Sequence, residues 1–204
     1  MTRQLSTQIR NAVRGLTKRW GPSSLKRELW DKEYAAGKWT HCENTQADPI
    51  YGYIEKYCKG GSILDLGCGS GNTSNELNFG RYQEYIGIDI SQVALDKAAA
   101  RSQKNGRRAK NRYVQSDILS YIPAQKHDVI VFRDSVHNIP RPKLRAALNR
   151  YLRWLKQEGV LIVRISGHDC SDFQEIAALI EAGYRVVDRY TGPESGRVIT
   201  LVFR

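Results

Sequence analysis

"SILDLGCGSGNTSNEL", residues 62–77, is the stretch on which the fold turns. An apolar run carrying Asp65 is followed by Gly67, Gly69 and Gly71, spaced two apart, and then by a polar stretch. A short Ile/Leu run reads as a buried strand, and glycines at this spacing read as a tight turn that lets the backbone approach a ligand. Open α/β sheets bind their ligands at such strand ends.

Downstream, the rhythm of strand, turn and helix repeats. Apolar runs at "SILDL" (62–66), "YIGIDI" (85–90), "RYVQSD" (112–117), "DVIVF" (128–132) and "GVLIVRI" (159–165) are short and rich in Ile and Val. Helices are expected between them over 72–79, 91–104, 141–156 and 171–182. Such alternation predicts a parallel sheet covered on both faces. At the C-terminus, "YRVVDRY" and "RVITLVFR" are joined only by "TGPESG", too short for a crossover, so an antiparallel hairpin is expected. Upstream, "SSLKRELWDKEYAAGKW" reads as a helix ending near Gly37, and "IYGYIEKYC" as another after Pro49.

The glycine turn is a poor phosphate cradle. A dinucleotide fingerprint needs a glycine three residues after Gly69, where Asn72 stands, and no Gly-Lys-Ser/Thr follows to make a P-loop. No lysine or arginine lies between Ile63 and Gly80. The loop instead offers Asp65 at the first strand end. Asp89 ends the second, where a carboxylate can accept both hydrogen bonds of a ribose diol, and Asp117 ends the third, where an exocyclic amine can be met. An adenosine bearing an amino acid suits all three; turn or helix capping is the competing role, above all for Asp117.

From about residue 50 to 204 the chain resembles the class I S-adenosylmethionine-dependent methyltransferases. "ILDLGCGSG" is similar to the family's first motif, "YIGIDIS" to its second, "YVQSDIL" to its third, "HDVIVFRDSVHNI" to its fourth, and "LKQEGVLIVRI" to the strand that follows. The resemblance implies an α/β, Rossmann-like three-layer sandwich with a seven-stranded, mostly parallel sheet of order 3-2-1-4-5-7-6, the last strand antiparallel. It divides the chain into a basic helical cap, residues 1–49, and a cofactor-binding domain, residues 50–204. It further implies S-adenosylmethionine as cofactor, with Asp65, Gly67, Cys68, Gly69 and Gly71 around the methionine part and Arg133 also on the cofactor. Asp89 and Ile90 would hold the ribose, and Asp117 and Ile118 the adenine.

Methyl transfer from a sulfonium is an in-line displacement, so much of the catalysis is positioning in a dry site. "RDSVHNIPR", after the fourth strand, supplies His137 as the expected base and Asp134 to orient it or to bind a cationic acceptor; a histidine that merely caps or bonds a carbonyl is the plainer role. The nucleobase amino-methyltransferases' Pro-Pro-Tyr run is absent here, and "GHDCSD" does not clearly supply the Asp-Asn pair of the metal-dependent catechol enzymes, so no metal is expected. Trp30, Tyr34 and Trp39 either close as a lid over cofactor and acceptor or pack as ordinary core aromatics.

The net charge of +11 is local. Residues 1–27 and 101–112 contain 13 of the 32 basic residues and no acid, leaving 19 basic against 21 acidic elsewhere. In the first segment Leu5, Ile9, Val13, Leu16 and Trp20 form an apolar stripe at helical spacing, with Arg10, Arg14 and Lys18 opposite. The expected arrangement packs that stripe on the domain; a helix on an anionic membrane and, last, an organellar leader are the alternatives. Scattered Cys42, Cys58, Cys68 and Cys170 suit thiols in a reducing, cytoplasmic setting, with a reactive Cys42 beside His41 left open. The function expected is methylation of an oxygen or nitrogen on a small molecule. The alternatives are an enzyme acting on RNA or membrane lipid docked through the basic segments, and a domain that binds the cofactor without catalysis.

Overall fold

The computed structural model describes residues 2–43, 45–167, 172–192 and 197–204, with side chains from residue 11 onward. Strands β1 (Ser62–Leu66), β2 (Glu84–Asp89), β3 (Asn111–Gln115), β4 (His127–Arg133), β5 (Leu155–Ser166), β6 (Val186–Thr191) and β7 (Val198–Phe203) form one sheet of order β3-β2-β1-β4-β5-β7-β6. Pairing is parallel from β3 to β5 and antiparallel where β7 joins β5 and β6. The expected order and terminal hairpin are therefore found. Residues 193–196 of the hairpin connection lie outside the described residues.

Helices α1 (Thr2–Trp20), α2 (Ser23–Ala35), α3 (Ile50–Cys58), α4 (Asn72–Glu76), α5 (Gln92–Lys104), α6 (Arg141–Leu152) and α7 (Phe173–Gly183) complete the fold. The central strands are covered on both faces, and their side chains alternate between two apolar clusters. Leu64, Leu66, Ile130 and Phe132 pack with α6 and α7, whereas Ile63, Val129 and Val131 pack with Ile50 and Ile54 of α3. This burial on both sides holds the strand ends rigid, and the site is built on them.

Several boundaries differ from expectation. Helix α4 stops at Glu76 because Leu77 turns extended and Asn78 caps a 3₁₀ turn over Phe79–Arg81. Strand β3 ends at Gln115, two residues before Asp117. Helix α6 ends at Leu152, and β5 begins at Leu155 rather than 159, with a pairing irregularity between His127 and Val129. No helix among the described residues is long and apolar enough to cross a membrane.

The main correction concerns α1. Val13, Leu16 and Trp20, expected to pack on the domain, are 56%, 61% and 56% exposed. The basic face turns inward instead. Arg14 and Lys18 pair with Glu33, and Arg19 pairs with Asp172 at 3.0 Å. Buried and half-buried carboxylates on the facing elements attract the guanidinium and ammonium groups, and the apolar residues are left largely exposed, Leu16 and Trp20 along an open cavity and Val13 beside Leu25 and Leu29. The side chains of Leu5, Ile9 and Arg10 lie outside the description.

Candidate functional site

The glycine turn that follows β1 is shaped by close approach. Gly67 has φ +82, and a Cβ there would stand 2.4 Å from the Cβ of Ser135, on the loop after β4. Gly69 has φ +54, and a Cβ there would meet the Tyr34 hydroxyl at 2.6 Å. Both positions demand glycine on conformation as well as space. The backbone N–H groups of Gly67 and Cys68 donate to the carbonyl of Ile88, locking the turn to the end of β2.

Asp89 is the electrostatic centre of this end of the sheet. Its Oδ2 accepts the Gly69 N–H at 2.9 Å and its Oδ1 the Ser91 N–H at 2.9 Å. Two of a carboxylate's roughly four acceptor positions are thus used, which leaves capacity for a diol. Burial pushes the Asp89 carboxyl up to about 6, against the pull of the Ser91 and Gly69 amides.

Around these residues lies a cavity of about 780 Å³. Gly67, Cys68, Gly69, Asp89, Ile90, Asp117, Ile118, Arg133, Asp134 and His137 line one wall, and Trp30, Tyr34 and Trp39 line the other. Helix α1 roofs it with Arg14, Lys18 and Arg19. The structure thus gathers most of the expected site residues, and the three aromatics of "WDKEYAAGKW", around a single space.

Asp65 and Gly71 are not on that wall. Asp65 is fully buried behind the turn, with the Tyr85 hydroxyl donating to its Oδ2 at 2.6 Å, and burial raises its carboxyl above the ordinary value. Asp117 lines the cavity but is already engaged. Its Oδ1 accepts the Leu119 N–H at 2.9 Å, and its Oδ2 accepts Lys26 Nζ and Ser23 Oγ, each at 2.9 Å. Burial pushes Asp117 up, but the Leu119 amide and Lys26 outweigh it and leave the carboxyl below its usual value. Asp117 therefore fastens α2 to the sheet, close to the capping role its sequence position also suggested.

The loop after β4 presents Arg133, Asp134 and, in a 3₁₀ turn over Val136–Asn138, the half-buried His137. Asp134 adopts φ +53, a rare conformation for a non-glycine residue, and pairs with Arg164. Arg133 Nη2 donates to Asp48 at 3.1 Å, and Arg164 also pairs with Asp48 at 3.0 Å. Arg133 Nε is buried at the cavity with no acceptor. Asp48 had no signal in the sequence beyond a turn before Pro49, because its arginine partners lie 85 or more residues away.

Two further groups escaped sequence reading. Asp31 on α2 accepts Ser91 Oγ at 2.6 Å and the Val93 N–H at 3.2 Å, anchoring the roof to the start of α5. Glu33, also on α2, gathers Lys18, Arg14 and the Trp39 indole N–H. Half of the second basic segment is likewise spent internally, while Lys104, Arg108 and Arg112 are exposed. Arg101 donates to the carbonyls of Ser70 and Glu43, Arg107 to those of Ser74 and Leu77, and Lys110 to those of Phe79 and Tyr82. Among the described residues Cys58 and Cys68 form no disulfide, and Cys170 with the rest of 168–171 lies outside them.

Comparison with known proteins agrees with this fold. Residues 63–159 match the methyltransferase-domain family. A carboxy-S-adenosyl-L-methionine synthase from Helicobacter hepaticus is 28% identical over 137 residues, 65% of this chain; the chain spans about half of that relative, 55% of its length. The N-methyltransferase NodS from Bradyrhizobium japonicum, solved with S-adenosyl-L-homocysteine, superposes with a TM-score of 0.68 at 17% identity, covering 87% of this chain and 97% of that one. A putative rRNA-methylase from Clostridium thermocellum gives 0.62 at 18% identity, covering 79% and 96%. At these identities the two structures speak to the fold.

Proposed function

We propose, from the premise that the chain belongs to the class I S-adenosylmethionine-dependent methyltransferase family, that it transfers a methyl group to an oxygen or nitrogen of a small-molecule acceptor held beneath α1 and α2. Residues 1–49 are the cap in this reading and 50–204 the cofactor-binding domain. The observation that carries it is Asp89, a buried carboxylate with acceptor capacity to spare at the wall of the cavity, bonded to the backbone of a glycine turn that only glycine can form.

The residues present fit the cofactor. Asp89 would accept the ribose hydroxyls beside Ile90, and the unpartnered Nε of Arg133 would donate to the methionine carboxylate near Gly67, Cys68 and Gly69. Because the Asp117 carboxylate is engaged with α2, the adenine edge is left to the backbone at Ile118. When bound, S-adenosylmethionine supplies a methyl group on a positively charged sulfur. The protein's part is to hold the acceptor in line and exclude water, which the roof of α1 and α2 with Trp30, Tyr34 and Trp39 serves. His137, half-buried on the wall, takes the acceptor's proton where that acceptor is a hydroxyl, and Asp134 fixes the loop that presents it.

A roofed cavity supports a small acceptor over RNA or a lipid surface. So does the use of Arg14, Lys18, Arg19, Lys26, Arg101, Arg107 and Lys110 in internal bonds, which leaves Arg27, Lys104, Arg108 and Arg112 as the exposed cations of the two basic segments among the residues whose side chains are described, and a docking surface for phosphate needs its cations exposed. Calorimetry tests the assignment. Asp89→Ala, with its fold checked by circular dichroism, should bind S-adenosylmethionine about 100-fold more weakly, since hydrogen bonds to a charged acceptor contribute about 1.5–3 kcal/mol each. Wild-type affinity in that variant would overturn the ribose role. Incubation with methyl-labelled cofactor and fractionated extract should place the label in small molecules; label in RNA or lipid would redirect the acceptor.

A further inference from the structure

The wall facing the strand ends carries a second recognition device. Trp30 and Trp39 lie with ring centroids 5.4 Å apart, and Tyr34 stands 6.2 Å and 6.4 Å from them. Glu33, itself buried, adds a carboxylate. Its Oε2 accepts the Trp39 indole N–H at 3.0 Å and Lys18 Nζ at 2.9 Å. Lys18 reaches in from α1, its ammonium 3.5 Å from the centre of the Trp30 ring and 4.8 Å from that of Trp39. Indole faces and a carboxylate around one ammonium make a receptor for alkylammonium ions. This receptor adjoins the cofactor side of the cavity, because Tyr34 both belongs to the cluster and touches the glycine turn at Gly69.

We propose that this cage is the subsite for an amine acceptor, a primary or secondary alkylamine, and that Lys18 occupies it as an internal stand-in for the substrate ammonium until α1 lifts. The inference rests on the methyltransferase reading and narrows its acceptor. Lys18 comes from the roof and not from the sheet, so it can leave without disturbing a strand. The helix that carries it leaves Val13, Leu16 and Trp20 largely exposed, and its inward contacts include the ion pairs of Arg14, Lys18 and Arg19. Burial draws the Lys18 ammonium down to about 8 in spite of Glu33, with Arg14 and Lys38 adding to the effect. An amine seated there releases one proton to solvent as the pH nears 8, a fraction of it already at neutral pH. Its lone pair can then form the new N–C bond as the S–C bond breaks and the sulfur leaves as a neutral thioether.

The indole N–H resonances of the chain's four tryptophans, Trp20, Trp30, Trp39 and Trp154, allow a direct test. With n-butylammonium as probe and 1-butanol as its neutral counterpart, Lys18→Ala should show a saturable shift of the Trp39 indole signal. The affinity should be at least tenfold above that of the wild type and above that for 1-butanol. Lys18→Met, which keeps the apolar stem, should behave like Lys18→Ala, and Lys18→Arg like the wild type. Equal titrations of wild type and both neutral variants, or 1-butanol matching n-butylammonium, would overturn the proposal. Calorimetry with S-adenosylmethionine on the wild type separates the two levels. Absence of cofactor binding sinks the methyltransferase reading and the acceptor role together, whereas cofactor binding without an n-butylammonium response sinks the cage alone.

Discussion

The two walls of the cavity are held by different forces. On the strand-end wall, positions are fixed by backbone: Gly67 and Cys68 bond Ile88, Gly69 bonds Asp89, and the strands beneath are buried on both faces. The roof of α1 and α2 contacts the rest chiefly through side chains, by the Lys26–Asp117 and Arg19–Asp172 pairs and the Asp31 cap on α5, and is held together internally by the Arg14–Glu33 pair and the Trp30–Tyr34–Trp39 cluster. Backbone ladders over a packed core open only with the whole fold, whereas side-chain ion pairs open locally and respond to salt. In the proposed function, the rigid wall would set the cofactor's geometry and the roof would control access.

The strongest way to break this contrast is Gly67→Ala. The new methyl would lie 2.4 Å from the Cβ of Ser135, and φ +82 is disfavoured for alanine. Overpacking and backbone strain each contribute about 1–3 kcal/mol. We therefore expect a loss of roughly 3 kcal/mol or more, seen as a drop of about 6–12 °C in the thermal midpoint. A midpoint within a degree of the wild type would show that the turn yields and that the wall is not rigid.

The same contrast explains what was legible in the sequence. Strands β1, β2, β4 and β5 announced themselves because burial on both faces writes Ile/Val/Leu-rich runs, and glycines with positive φ punctuate the turn after β1; the edge strand β3 carries a weaker, alternating signal. The position of Asp89 at the end of β2 was readable because the second apolar run stops there. The orientation of α1 was not. Helical periodicity shows that a stripe exists but not which side meets the domain, and the deciding carboxylates, Glu33 and Asp172, lie 15 and 153 residues from their partners Lys18 and Arg19. Asp65 looked like a ligand group from its place in the sequence alone. It is fully buried behind the loop, where the Tyr85 hydroxyl donates to its Oδ2 and leaves Oδ1 without a hydrogen-bond partner among the described residues.

Acidification sharpens the contrast at one residue. A carboxyl whose folded-state value is raised to about 6 from its ordinary 3.8 is stabilising when protonated. That contribution is present below the unfolded value and lost as the pH rises through about 6. The proposed ribose role needs the ionised form, so cofactor affinity is expected to run the other way. It should be level above pH 7 and fall by up to about tenfold per unit below pH 6. Calorimetry between pH 5 and 8 checks this, with Asp89→Asn expected to flatten the profile. An affinity that holds steady down to pH 5 in the wild type would detach Asp89 from the ligand.

The smallest effect is expected at the roof. Arg19 donates from Nε to the His137 carbonyl at 2.9 Å and pairs with Asp172 at 3.0 Å, with the arginine side chain 34% exposed. Partly exposed pairs of this kind contribute up to about 1 kcal/mol, so Arg19→Met should raise the opening equilibrium of α1 by no more than about fivefold. Amide hydrogen exchange reads this locally: faster exchange in α1, unchanged exchange in β1. Raising the salt to 1 M, where the screening length is about 3 Å, should accelerate α1 in the wild type and add less in Arg19→Met. If β1 accelerates in step with α1, roof and wall open as one unit. Access to the cavity would then require global unfolding, and the division of labour between the two walls would fail.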